Sequence, residues 1–100
     1  MTQKIYKYIL DGNALQMITI PGFKKVLSIK KQHNRVVLYA LVDTDVHAAK
    51  DVWIKSAWTG EELIDDIDQF EYLDTIVLDT IDYVVHYFVK VNWNVTRKNP

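Results

Sequence analysis

Residues able to do chemistry are few in this 100-residue chain, and they fall in three short stretches. Asp43-x-Asp45-x-His47 sets oxygen and nitrogen donors at alternate positions, which share one face of an extended backbone, as a metal site needs. The set is short of ligands: calcium loops use more oxygens and usually a glycine at the bend, and zinc needs a further histidine or carboxylate from elsewhere. A solvated turn accounts for the same residues, and no metal or cofactor is assigned. Glu61, Glu62, Asp65, Asp66 and Asp68 offer carboxylates for acid–base work. A working pair, however, needs two environments that push the acidities apart, whereas a dense acidic run is ordinarily hydrated surface. The chain has no Gly-x-Ser-x-Gly elbow and no phosphate-cradling glycine loop with lysine, and it holds three histidines in all. No catalytic residue is assigned.

The third stretch is Trp58-Thr59-Gly60, with Lys55 three residues earlier and His86 far along the chain. A large ring, a hydroxyl, a permissive backbone and a nearby cation are what a small pocket for an anionic or ring-bearing ligand contains. Trp58, Thr59, Gly60, Lys55 and His86 are therefore the candidate ligand-binding residues. The plainer reading has Trp58 capping the core, Thr59 capping a helix and His86 satisfied by a carbonyl or a tyrosine hydroxyl.

Strands must position these groups. Asp82 to Val91 has no glycine or proline and is almost wholly β-branched and aromatic, which predicts a central strand with Tyr83, Val85, Tyr87, Val89 and Val91 on one face and Val84, His86, Phe88 and Lys90 on the other. A strand apolar on both faces calls for cover on both. Upstream, strands are expected at Ile5–Leu10, Leu15–Ile20, Val26–Gln32, Arg35–Asp43, Val52–Ala57 and Tyr72–Leu78. The connections are Asp11-Gly12-Asn13, Pro21-Gly22, a two-residue turn at His33-Asn34, and Asp43–Lys50, where Ala48 and Ala49 permit a helical turn. Leu63, Ile64 and Ile67 give the stripe of a short helix or helical loop near 61–68, its start favoured by Glu61 and Glu62. The fold class expected is mainly β: a compact antiparallel sandwich or partial barrel of about seven strands, forming one domain over 1–92 with a polar, flexible tail over 93–100.

Composition narrows the function classes. The chain is 49% hydrophobic and 25% charged, as an ordinary globular domain is, and it lacks cysteine, so disulfides and thiolate chemistry are out. No apolar run reaches membrane-spanning length and no secretion signal opens the chain, so a cytoplasmic setting is expected. The net charge of −1 hides a segregation: Met1–Arg35 holds six lysines and one arginine against Asp11 alone, while Glu61–Asp82 holds nine acids and no lysine or arginine. The two runs either meet, within the fold or across a subunit contact, or are solvated faces of different sign. Lys24, Lys25, Lys30, Lys31 and Arg35 gather at one hairpin beside Phe23 and Tyr39, where lysines protect an exposed strand edge. A nucleic-acid binder is normally net basic, so nucleic acid is not expected as a partner.

Ile5-Tyr6-Lys7-Tyr8, the Pro21-Gly22 turn, Val26-Leu27-Ser28-Ile29, Leu38-Tyr39-Ala40-Leu41-Val42-Asp43, Thr59-Gly60, Tyr72-Leu73-Asp74-Thr75 and Val84-Val85-His86-Tyr87-Phe88 follow one another in a characteristic order. In these the chain resembles a family of small, uncharacterised proteins encoded mainly by bacteriophages, from which it departs at Trp58, where glycine is more usual. The resemblance implies a phage accessory protein acting in the host bacterial cytoplasm, and it supplies no catalytic residues. Such a protein is expected to act in counter-defence by stoichiometric binding, either sequestering a nucleotide-derived immune signal or inhibiting a host defence protein, and to form a homo-oligomer. The alternatives are a structural or assembly protein of the phage and a metal-assisted phosphoesterase using Asp43, Asp45 and His47.

Overall fold

In the computed structural model of the chain, residues 1–78 and 83–93 are described. They form a sandwich of two antiparallel sheets. The strands are β1 (Gln3–Ile9), β2 (Leu15–Pro21), β3 (Phe23–Gln32), β4 (Arg35–Asp43), β5 (Ala49–Trp58), β6 (Glu71–Val77) and β7 (Val84–Trp93). One sheet, here sheet A, has the order β1-β4-β3; the other, sheet B, has the order β2-β5-β7-β6. Among the described residues the two sheets do not close into a barrel, and each keeps two edge strands.

β4 and β7 are interior strands, as their unbroken apolar runs require. Alternation sends Leu38, Ala40 and Val42 of β4, Val52 and Ile54 of β5, and Val85, Tyr87 and Val89 of β7 into the space between the sheets, where Ile20, Ile29 and Phe23 join them. The other face of β7 is crossed too, by a loop rather than by a second sheet or a helix. Residues 59–70 cross it, and Lys90 reaches both the ring of Phe70, 5.0 Å from its centroid, and Asp66 Oδ2 at 4.0 Å.

That loop carries the helical element expected near 61–68, in its shorter form, a helical loop rather than a helix of two or three turns. Among the described residues the helical content is one 3-10 turn, Ile67–Gln69. Leu63, Ile64 and Ile67 are spaced for a helical stripe, yet none of the three is buried, Leu63 being exposed and Ile64 and Ile67 half-buried, so no buried stripe holds a longer helix together. The helical turn allowed at Ala48-Ala49 is also absent, because Ala49 already begins β5. β3 starts at Phe23 rather than Val26: register shifts between Phe23 and Lys25 and between Val26 and Ser28 absorb Lys24 and Leu27 as extra residues on this strand. The Asp79–Ile81 turn and the Asp82 start of β7 lie outside the described residues, as does the tail beyond Trp93.

Connections follow the chemistry of their residues. The two-residue loop between β3 and β4 puts His33 at φ 57°, a left-handed position that histidine tolerates better than most side chains. Asp11 Oδ1 accepts the Asn13 N–H at 2.8 Å where the chain passes from sheet A to sheet B. Gly22, at φ 66°, carries it back: its N–H donates to Ala48 O and its carbonyl accepts from Asp43 N, both at 2.8 Å.

Candidate functional site

The outer face of sheet B holds the first candidate. Register places Ala57 beside His86 and Lys55 beside Phe88 on β5 and β7, and Thr75 beside His86 on β6. The loop then lays Thr59, Gly60, Glu61 and Leu63 over them. The result is a pocket of about 190 Å³ lined by Ala57, Trp58, Thr59, Gly60, Glu61, Leu63, His86 and Phe88. All five residues singled out in the sequence are thus brought to one place, four in the wall and Lys55 beside Phe88 on the same face.

Their contacts define what the pocket can do. His86 is engaged at both ring nitrogens, with Thr59 Oγ1 2.8 Å from Nε2 and Thr75 Oγ1 2.9 Å from Nδ1. Thr75 is in turn hydrogen-bonded to the Tyr72 hydroxyl. Hydroxyls accept as well as donate, so this chain suits either neutral tautomer of the imidazole and the imidazolium alike. Lys55 is 5% exposed. Its Nζ donates to Ser56 O at 2.8 Å and lies 3.8 Å from Glu61 Oε2, while Glu61 Oε1 accepts the Trp58 N–H at 2.9 Å. The cation that an anionic ligand would seek is therefore already held by the protein's own carboxylate. Trp58 is half exposed and its ring packs on Tyr83, 4.9 Å between centroids.

Asp43, Asp45 and His47 do not converge as ligands. Asp43 is buried with Oδ1 accepting the Asp45 N–H at 3.0 Å, and Asp45 Oδ2 lies 3.4 Å from the Met1 ammonium. Among the described residues no three His, Asp or Glu side chains gather as a metal would need.

The opposite outer face, that of sheet A, is a second candidate that the sequence reading missed. Pairing of β1 with β4 and of β3 with β4 sets Ile5, Lys7 and Ile9 beside Leu41, Tyr39 and Val37, with Lys25, Ser28 and Lys30 on the far side. Ile5 is 62% exposed and Ile9 54%. Lys7, Lys25, Lys30 and Arg35 surround this aliphatic centre, and a hollow of about 440 Å³ opens at its hairpin end between Lys7, Ile9, Gln32, His33, Asn34, Arg35 and Val37. Alternation within β1 and β4 was readable; that these two strands are neighbours was not. Of the acidic run, Glu61, Glu62, Asp65, Asp66 and Asp68 lie across the molecule, in the loop over sheet B. Among the described residues its ion pairs go to Lys55 and Lys90, and none goes to a cation of Met1–Arg35.

No helix among the described residues is long and apolar enough to cross a membrane. Residues 1–97 match the model of one family, described as a domain of unknown function (DUF7352). Neither a curated protein nor a solved structure matches the chain.

Proposed function

The chain belongs to the DUF7352 family, and we propose that it works by stoichiometric binding of an acidic protein partner through the outer face of sheet A. The observation that carries this is the apolar group of exposed Ile5 and Ile9 with half-buried Tyr39 and Leu41, set among Lys7, Lys25, Lys30 and Arg35. An apolar centre with a charged rim is the anatomy of a protein interface. Single-stranded nucleic acid would want several aromatic platforms, and this face has Tyr39 alone. In keeping with the phage resemblance, the partner is a host defence protein in the bacterial cytoplasm, and the chain is an inhibitor of it.

The test is infection of defence-carrying bacteria that express the chain. Wild type restores phage plating and co-purifies with one host protein in a fixed ratio, whereas Ile9→Glu and Lys7→Glu, folded and equally abundant, do neither. Full rescue by both variants overturns the reading. So does co-purification of nucleic acid that nuclease removes together with the activity.

A second reading, capture of a nucleotide-like signal, is favoured by the convergence of Trp58, Thr59, Gly60, Lys55 and His86 on one pocket. Pockets for ligands of that size usually exceed about 300 Å³, so this version requires the loop to lift and Glu61 to release Lys55. Native mass spectrometry decides it. A released nucleotide-like mass that Trp58→Ala and Lys55→Ala both abolish supports capture, and a bare polypeptide from defence-induced cells refutes it.

A further inference from the structure

We infer that β1 is a self-recognition edge, along which a second copy of the chain pairs antiparallel about a two-fold axis at Tyr6. This stands apart from the partner reading, because it concerns backbone groups at the rim of sheet A rather than the side chains on its face.

Among the described residues the sandwich has four edge strands, β1, β2, β3 and β6, and three of them carry a proline, a register shift or charge. β2 ends in Pro21, which has no N–H to offer. β3 is broken by two register shifts and carries Lys24, Lys25, Lys30 and Lys31. β6 has a shift between Tyr72 and Asp74 and bears Glu71 and Asp74. Bulges, proline and charge are the usual defences of a strand edge. β1 has neither a shift nor a proline, and its lysine on the outer face is drawn inward over the sheet, with Lys7 Nζ donating to Gln32 Oε1 at 3.2 Å.

Which β1 groups face outward follows from its ends. Leu10 N–H donates to Val36 O at 2.9 Å and Thr44 N–H to Thr2 O at 2.8 Å, so Thr2 and Leu10 turn their backbone polar groups toward β4. In an antiparallel ladder that direction alternates. Lys4, Tyr6 and Tyr8 therefore bond to β4, and Gln3, Ile5, Lys7 and Ile9 present N–H and C=O to the open side.

A two-fold partner must set outward residues opposite outward residues. With the axis at Tyr6, Gln3 meets Ile9 and Ile5 meets Lys7 of the second copy, and every outward donor and acceptor is satisfied. On the inner side Tyr6 lies against its own copy and Lys4 against Tyr8, both favourable cross-strand neighbours. With the axis at Lys7, like charges oppose each other. With the axis at Ile5, Ile9 is left unpaired. The Tyr6 register alone uses the whole edge without a like-charge pair, and it merges the two copies of sheet A into one continuous sheet.

Sedimentation velocity over a range of concentrations, with thiol cross-linking, tests this. The chain has no cysteine, so Tyr6→Cys carries one thiol, placed in a non-hydrogen-bonded pair whose ~4.5 Å Cα separation suits a disulfide. Expected are a reversible dimer, rapid oxidation of Tyr6→Cys to a covalent dimer, little oxidation of Lys4→Cys, and about tenfold weaker association of Ile5→Lys, which sets Lys against Lys7 twice per dimer. A monomer at every concentration overturns the inference. So does a dimer that Ile5→Lys leaves intact, or one in which Lys4→Cys cross-links as readily as Tyr6→Cys.

Discussion

Thr59 Oγ1 and His86 Nε2 share a 2.8 Å hydrogen bond that ties the first residue after β5 to the third residue of β7. The acidic loop is thus anchored at its start by a side chain of the sheet it covers. Thr59→Val keeps the shape and removes this bond, so it should lower stability by about 1 kcal/mol. Amide exchange should quicken through residues 59–66 while β4 and β5 stay protected, since local opening is set by local contacts. Uniformly faster exchange across both sheets would show that the loop is not a separate unit.

The Lys55–Glu61 contact should respond asymmetrically. Glu61→Gln leaves a buried ammonium facing a neutral amide and should cost about 1–2 kcal/mol, limited by the partial exposure of Glu61. Lys55→Met retains the packing of the stem and removes the charge, and should lie within about 0.5 kcal/mol of wild type. Urea denaturation midpoints of the two variants check the order.

Gly22→Ala should be among the most damaging single changes. A Cβ there would stand 2.1 Å from the Asp43 carbonyl oxygen, on a residue already at φ 66°. Backbone cannot yield as a side-chain tip can, so a loss of about 3 kcal/mol or more is expected. Gly12→Ala is the control, because nothing lies within 4 Å of its added carbon. Thermal unfolding of the pair measures the difference.

Much of this architecture was legible from residue types alone. The β4 and β7 runs, read as interior, are interior, and Pro21-Gly22 and His33-Asn34 turn the chain where expected. Lys55, Thr59 and His86 were grouped by composition alone; that the partners of His86 are the hydroxyls of Thr59 and Thr75, not a carbonyl or a tyrosine, was not readable. Glu61, Thr75 and Tyr72 were missed as members of that network: their roles depend on which strands adjoin, and a one-dimensional pattern does not carry sheet order. The element near 61–68 was legible only as a short helix or helical loop, for a related reason. Spacing reports which side chains share a stripe, not how many turns the chain makes there.

Burial pushes the Tyr87 hydroxyl above the ordinary value of 10.0, and burial followed by the charge of Tyr6 does the same to Tyr8. A raised pKa in the folded state means that the fold holds the proton more tightly than the unfolded chain. The contribution is complete below the ordinary value and is lost as pH rises through the raised one. Stability should therefore fall as pH climbs past about 10, and Tyr87→Phe should flatten that fall. Denaturant titrations across this range, with tyrosinate absorbance at 295 nm as an approximate guide to ionisation, test the sign.

Sheet A bears its cations on one outer face while the acidic loop covers the other, in a molecule whose shortest extent is 17 Å. Net charge then describes the protein poorly. It is an electric dipole, and in a field or near a charged support it turns before it is attracted or repelled. A cation exchanger and an anion exchanger at neutral pH should each retain it, through opposite faces, and whichever support holds it leaves the other face presented to solution.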